Sequence, residues 1–179
     1  MWDTVNDIAF NKRFFFMTSK TPIVRQSSFT LVIPQLVAIA VAIFVAVRLS
    51  PTYGFIYGPA VYLLYSFGSR FVLAREHRAG VALAKRQKFD EAIPKFQKSL
   101  DFFDRFPWID RFRSIILMSA SAFSYREMAL ANIGFAYSQI GMGAEARVYY
   151  EKCLERFPNS SLATAALRML NSNDPGKTA

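Results

Sequence analysis

EMALANIGFAYSQIGMGAEARVYYEKCLERFPNS, residues 127–160, is the stretch on which the fold turns. Its apolar and small residues recur at helical intervals twice over. Leu130, Ile133, Gly134 and Tyr137 share one face of a first helix, and Ala146, Tyr150 and Cys153 share one face of a second. Gly141-Met142-Gly143 marks a turn between them, and Pro158 marks a stop. Ser124 and Glu127 stand at the spacing of a capping box. Gly134 and Ala146 are small enough to let two helices approach closely, with Tyr137 and Tyr150 filling the space between. The pattern occurs once more upstream at a constant offset (134 − 80 = 54): Gly80 matches Gly134, Ala92 matches Ala146, Phe96 matches Tyr150, and Leu100 matches Leu154.

At these spacings Glu127 to Ser160 resembles the tetratricopeptide repeat, a helix–turn–helix unit of about 34 residues. Cys153 stands where that family usually has Ala. The upstream copy, with Ala79, Gly80, Leu83, Ala92, Phe96 and Ser99, is looser. Glu76 replaces the bulky apolar residue the family favours, and Pro94 falls in the first turn of a helix opened by Phe89-Asp90-Glu91-Ala92-Ile93, where Pro is tolerated. Arg105-Phe106-Pro107 recurs as Arg156-Phe157-Pro158 at a shorter offset (156 − 105 = 51), which predicts a longer second helix in the first copy. The extra length between copies makes residues 107–123 an insert, in which Phe112, Ile115, Ile116, Ser119 and Phe123 share one helical face. Asn159 or Ser160 is expected to cap a final helix with Leu162, Ala163, Ala166, Leu167 and Leu170 as its buried stripe. The reading is an all-α, TPR-like α-solenoid over 75–171: two repeats, an inserted helix and a C-terminal capping helix, then a flexible tail at 172–179.

The resemblance implies protein–protein interaction through the concave face formed by the first helix of each repeat. Carried over by position, that face comprises His77, Val81, Ala84 and Lys85 from the first copy. Met128, Ala131, Phe135, Ser138 and Gln139 come from the second. It is mostly apolar and lacks the Lys/Asn/Arg set with which some members of the family grip a C-terminal carboxylate.

Upstream of residue 75 the composition changes. Gln26 to Val47 carries no charge, and 22 helical residues span about 33 Å, enough for a hydrocarbon core of roughly 30 Å. A turn at Arg48 to Tyr53 leads into a second apolar run from Gly54 to Ala74, looser because of Gly54, Gly58, Pro59 and Gly68. Gly54 and Gly58 have the spacing of a close helix–helix contact. Residues 29–74 are therefore expected to form an N-terminal transmembrane helical hairpin, with a re-entrant second segment as the alternative. Tyr53 and Tyr57 would act as interface anchors and Arg70 would reach the headgroups. Residues 1–28, with Trp2 and Phe14-Phe15-Phe16-Met17 beside Lys12 and Arg13, are expected to lie in the interface. A cleaved signal peptide is not expected, because the apolar run is too extended.

The chain of 179 residues is 53% hydrophobic with a formal charge of +9. Arg75, Arg78, Lys85, Arg86 and Lys88 against Glu76 place +4 (5 − 1) in residues 75–88. With Arg70 these are the expected lipid-headgroup contacts, and their asymmetry puts both termini on the cytoplasmic side of a two-span integral membrane protein. A nucleic-acid partner is not expected, because the basic residues flank an uncharged run instead of covering a folded face. One Cys and one His exclude a disulfide framework and a multi-histidine metal site within the chain. No catalytic constellation or nucleotide loop is legible, so neither enzyme activity, cofactor nor small-molecule substrate is expected; His77 reads as a polar surface residue and Cys153 as a core residue. The functional expectation is a membrane-anchored interaction adaptor whose partners are other proteins and membrane lipids. The alternatives are a structural or assembly subunit of a membrane complex, docking through the hairpin, and a lipid-surface binding protein.

Overall fold

The structure, a computed structural model, describes residues 32–172. Residues 1–28, expected at an interface, and the tail beyond Ser172 lie outside the described residues. In chain order the helices are α1 (Ile33–Leu49), α2 (Gly54–Leu73), α3 (Arg75–Lys85), α4 (Phe89–Arg105), α5 (Pro107–Arg111), α6 (Arg113–Ile116), α7 (Tyr125–Gln139), α8 (Gly143–Arg156) and α9 (Ser161–Ser172). Every regular element among the described residues is thus a helix.

From α3 onward each long helix packs on its predecessor: α4 on α3, α7 on α4, α8 on α7 and α9 on α8. The glycines at equivalent positions explain the stacking. A Cβ on Gly80 would lie 2.8 Å from the Phe96 ring, and one on Gly134 would lie 2.8 Å from the Tyr150 ring. Each repeat is therefore closed by an aromatic ring laid on a glycine. The sequence pattern placed Ala146 opposite Gly134; Ala146 is fully buried, but the ring of Tyr150 takes that closest place.

α7 is the central element and is buried on two sides. Ile133 and Ala136 join Ala92, Ile93 and Phe96 of α4 in one core, while Leu130 joins Ala146, Tyr150, Cys153 and Ala163 in a second. Ser124 caps it, accepting from the Glu127 N–H at 3.1 Å, which is the first half of the expected capping box. Ser160, immediately before α9, accepts from the Ala163 N–H at 3.4 Å as a cap would, and of the expected stripe Ala163, Ala166, Leu167 and Leu170 join the core shared with α8, whereas Leu162 does not. α4 has 17 residues against 14 in α8, the extra turn that the offset of the two Arg-Phe-Pro stops requires.

Two expectations are corrected. The insert is not one helix but two short ones followed by irregular chain, and Phe112 and Ile115 of its supposed buried face are exposed. Its path is set by bonds to distant residues instead of by its own periodicity, as shown below. The second correction concerns the transmembrane hairpin and the two-span integral membrane localisation built on it. Among the described residues no helix is long and apolar enough to cross a membrane. α1 has 17 residues, which rise about 26 Å. α2 has 20 residues, but Tyr57, Tyr62, Tyr65, Ser66, Ser69 and Arg70 dilute its apolar run. The assignment of both termini to one side of a membrane falls with it.

The hairpin itself forms. α1 packs on α2, and Gly54 and Gly58 are where their backbones meet: a Cβ on Gly58 would lie 2.6 Å from Ile43 Cα. The outer faces stay uncovered, with Leu49 82% and Leu64 75% exposed.

Candidate functional site

The family register nominates the face of α3 and α7 as the interaction surface, and the structure distributes its residues unevenly. Phe135 is half-buried and meets the Phe89 ring edge-on, with centroids 5.8 Å apart. Phe89, at the start of α4, is not part of the face that the register predicts; its place at the opening of α4 is the signal that the sequence offers. Val81 and Ala84 are half-buried and pack on the Ala92/Phe96 core. Lys85 is exposed, and Ser138 and Gln139 are half-buried. The Ser138 hydroxyl donates to the Phe135 carbonyl at 2.7 Å and so has its proton engaged within the helix. Met128 is half-buried, with its Sδ 3.8 Å from the Ser121 hydroxyl of the insert. Ala131 is buried.

His77 leaves this group. It is 6% exposed, wedged edge-on between Phe96 and Tyr125 at 5.6 and 5.2 Å, with Nδ1 3.4 Å from the Ser99 hydroxyl. Burial among rings strips water from the imidazolium and lowers its pKa to about 4, only partly opposed by the carboxylate of Asp110. The expectation of a polar surface or groove histidine is therefore corrected: His77 is a neutral core residue. Cys153 is also core. Its Sγ lies 3.7 Å from the Ser160 hydroxyl, and burial pushes its thiol up to about 11.

The basic residues expected at lipid headgroups are likewise dispersed. Arg70 points into the protein, where Nε donates to the Leu117 carbonyl at 2.8 Å and a terminal nitrogen donates to the Met118 carbonyl. Arg75 lies 3.9 Å from Glu76, Lys88 pairs with Glu91 at 2.8 Å, and Arg78 sits over the Phe71 ring. Lys85 and Arg86 are exposed at the end of α3.

The residues that sequence reasoning missed lie in the insert. Asp110 is fully buried. Its carboxylate accepts from the Tyr125 N–H at 2.7 Å, the Arg126 N–H at 3.3 Å and Arg126 Nε at 3.0 Å. It therefore satisfies two of the orphan donors at the start of α7, where negative charge also suits the helix dipole. Arg113 donates to the carbonyls of Asp110, Ser121 and Ala122. Phe103, Ile109 and Leu117 make a third core with Leu73, Ile116 and Tyr125 at the foot of the hairpin. The insert thus fills the space between hairpin and repeats, and reaches the α3/α7 face at Met128.

Among the described residues no group of three or more His, Cys, Asp or Glu is placed to hold a metal ion. The arrangement of surfaces, a half-open aromatic face on stacked helix pairs, suits macromolecular recognition. No curated protein and no solved structure matches the chain. Residues 122–160, the segment that forms α7, α8 and their turn, match the family model of the tetratricopeptide repeat.

Proposed function

We propose that the stacked helices form a protein–protein interaction module whose partner lies along the face of α3 and α7. The observation that carries the reading is the Phe89–Phe135 pair, aromatic and only half-buried, in which Phe135 lies on the first helix of a tetratricopeptide-type repeat and Phe89 meets it from the start of α4. Aromatic anchors in such positions dominate interface energies. Lys85 and Gln139 supply polar groups at the margin. The test uses one variant and two readouts. Phe135→Ala is expected to weaken partner binding by about 1–2 kcal/mol or more, read by photo-crosslinking from position 139, while the melting midpoint moves little. A stability loss of about 3–5 kcal/mol with unchanged crosslinking would make Phe135 a core residue and reject the face.

A second reading rests on the hairpin. Leu49, Phe55, Leu64, Phe67 and Phe71 leave its outer faces apolar and exposed, and contiguous apolar patches above a few hundred Å² mark interaction sites. In this reading the hairpin docks the chain into a larger assembly. Replacing Leu64 and Phe67 together by Ser is expected to release the chain from that assembly; unchanged assembly size rejects it.

A further inference from the structure

The insert and the start of α7 enclose an open cleft of about 460 Å³, within the range of pockets that hold small ligands or a few side chains. Its lining is of two kinds. Trp108 and Phe112 present rings that are 56% and 51% exposed. Arg111, Arg113 and Arg126 present guanidinium groups. Arg113 is spent on backbone carbonyls. Arg126 gives Nε to Asp110 and lies over the Phe157 ring, 6.0 Å from its centroid, and its terminal nitrogens make no hydrogen bond among the described residues. The Arg111 side chain forms no hydrogen bond or ion pair among them. Asp110, the acid at the floor, is sealed from solvent and already accepts three N–H groups. The charge balance of the lining is +2 (3 − 1), and the face it offers to solvent is cationic and aromatic.

We propose that this cleft binds a short acidic peptide segment of a partner protein. One carboxylate is held by Arg111 and Arg126, and a neighbouring apolar or aromatic side chain lies on Trp108 and Phe112. Guanidinium forks match carboxylates in geometry and charge, and exposed aromatic and arginine side chains together are the commonest energetic anchors of interfaces. The cleft is also pre-organised. Asp110 ties the insert wall to the start of α7 by accepting from the Tyr125 and Arg126 N–H groups and from Arg126 Nε, and Arg113 donates to the Asp110 carbonyl, so the backbone of the two walls needs little ordering on binding. A free oxyanion shares only the carboxylate half of this chemistry; the ring pair is what selects a peptide. The site lies apart from the α3/α7 face and stands or falls independently of it.

The chain has two tryptophans, Trp2 and Trp108, so full-length protein with Trp2→Phe, in dilute non-ionic detergent, reports on the cleft by Trp108 emission. Titration with acetyl-Glu-Phe-Glu-Phe-Glu-amide is expected to give a saturable shift, and the peptide with Gln for Glu is expected to bind at least 10-fold more weakly. Arg111→Glu should weaken the acidic peptide at least 10-fold with an unchanged melting midpoint. Phe112→Ala, a second variant on the apolar wall, should weaken it at least 5-fold. The proposal is overturned by any of four results: no saturable response, equal affinity for the Gln peptide, full affinity in both variants, or inorganic phosphate alone reproducing the shift with the affinity of the peptide.

Discussion

Single residues carry much of the repeat geometry, and two of them make its logic testable. Gln87 and Gly141 end the first helices of the two copies at equivalent positions (141 − 87 = 54), with φ of 60° and 81°. Both are left-handed, a conformation costly for side chains with a Cβ and open to glycine. Gln87→Gly is therefore expected to stabilise the protein by about 0.5–1 kcal/mol, seen as a higher denaturation midpoint; no change or a loss contradicts the equivalence of the two turns. His77 gives a pH dependence. Its folded pKa of about 4 lies below the unfolded value of 6.5, so the unfolded chain takes up the proton first as pH falls. The stability held by the neutral ring is complete above pH 6.5 and is lost progressively toward pH 4, about 3 kcal/mol over that window. His77→Phe, which keeps a ring between Phe96 and Tyr125, should flatten the curve by that amount. Equal slopes for the two proteins between pH 6.5 and 4 would remove His77 from the acid sensitivity.

At the scale of elements, the start of α7 depends on a residue far upstream. Asp110→Ala strands the N–H groups of Tyr125 and Arg126 and the Arg126 side chain at once. The expected cost is about 3–5 kcal/mol, with faster hydrogen exchange at Tyr125 and Arg126; a loss below about 1 kcal/mol would show that Ser124 alone suffices as cap. This also marks the border of what the sequence made legible. α3, α4, α7, α8 and α9 follow from periodicity and small residues, with local caps at α7 and α9, because each is decided within about ten residues of itself. The insert does not. Its apolar spacing reads as one helix, but bonds from Arg70, 47 and 48 positions away, and the burial of Asp110 bend it into two short turns with Met118 at φ 46°. The candidate face is legible to the same degree: Phe135 and Lys85 follow from register, whereas the burial of His77 comes from Tyr125 and Ser99 on other helices. For the hairpin, lack of charge was readable, but the length of α1 and the polar content of α2 decide its character.

Across the whole molecule, the hairpin and the repeats are held together through the insert. α1 touches α6, Arg70 of α2 holds the Leu117 and Met118 carbonyls, and Asp110 grips α7. Arg70→Met keeps the length of the side chain and removes both donations. It should leave the repeat core folded while opening residues 117–122 to limited proteolysis and broadening spin-label distances between Val61 and Gln139; unchanged cleavage and distances would show the third core to be sufficient. If the bonds do matter, the joint is a lever without a hinge. A body that takes hold of the hairpin also sets the bearing of the repeat domain. The direction in which the Phe89–Phe135 face looks would then be steered from the far end of the molecule by one arginine.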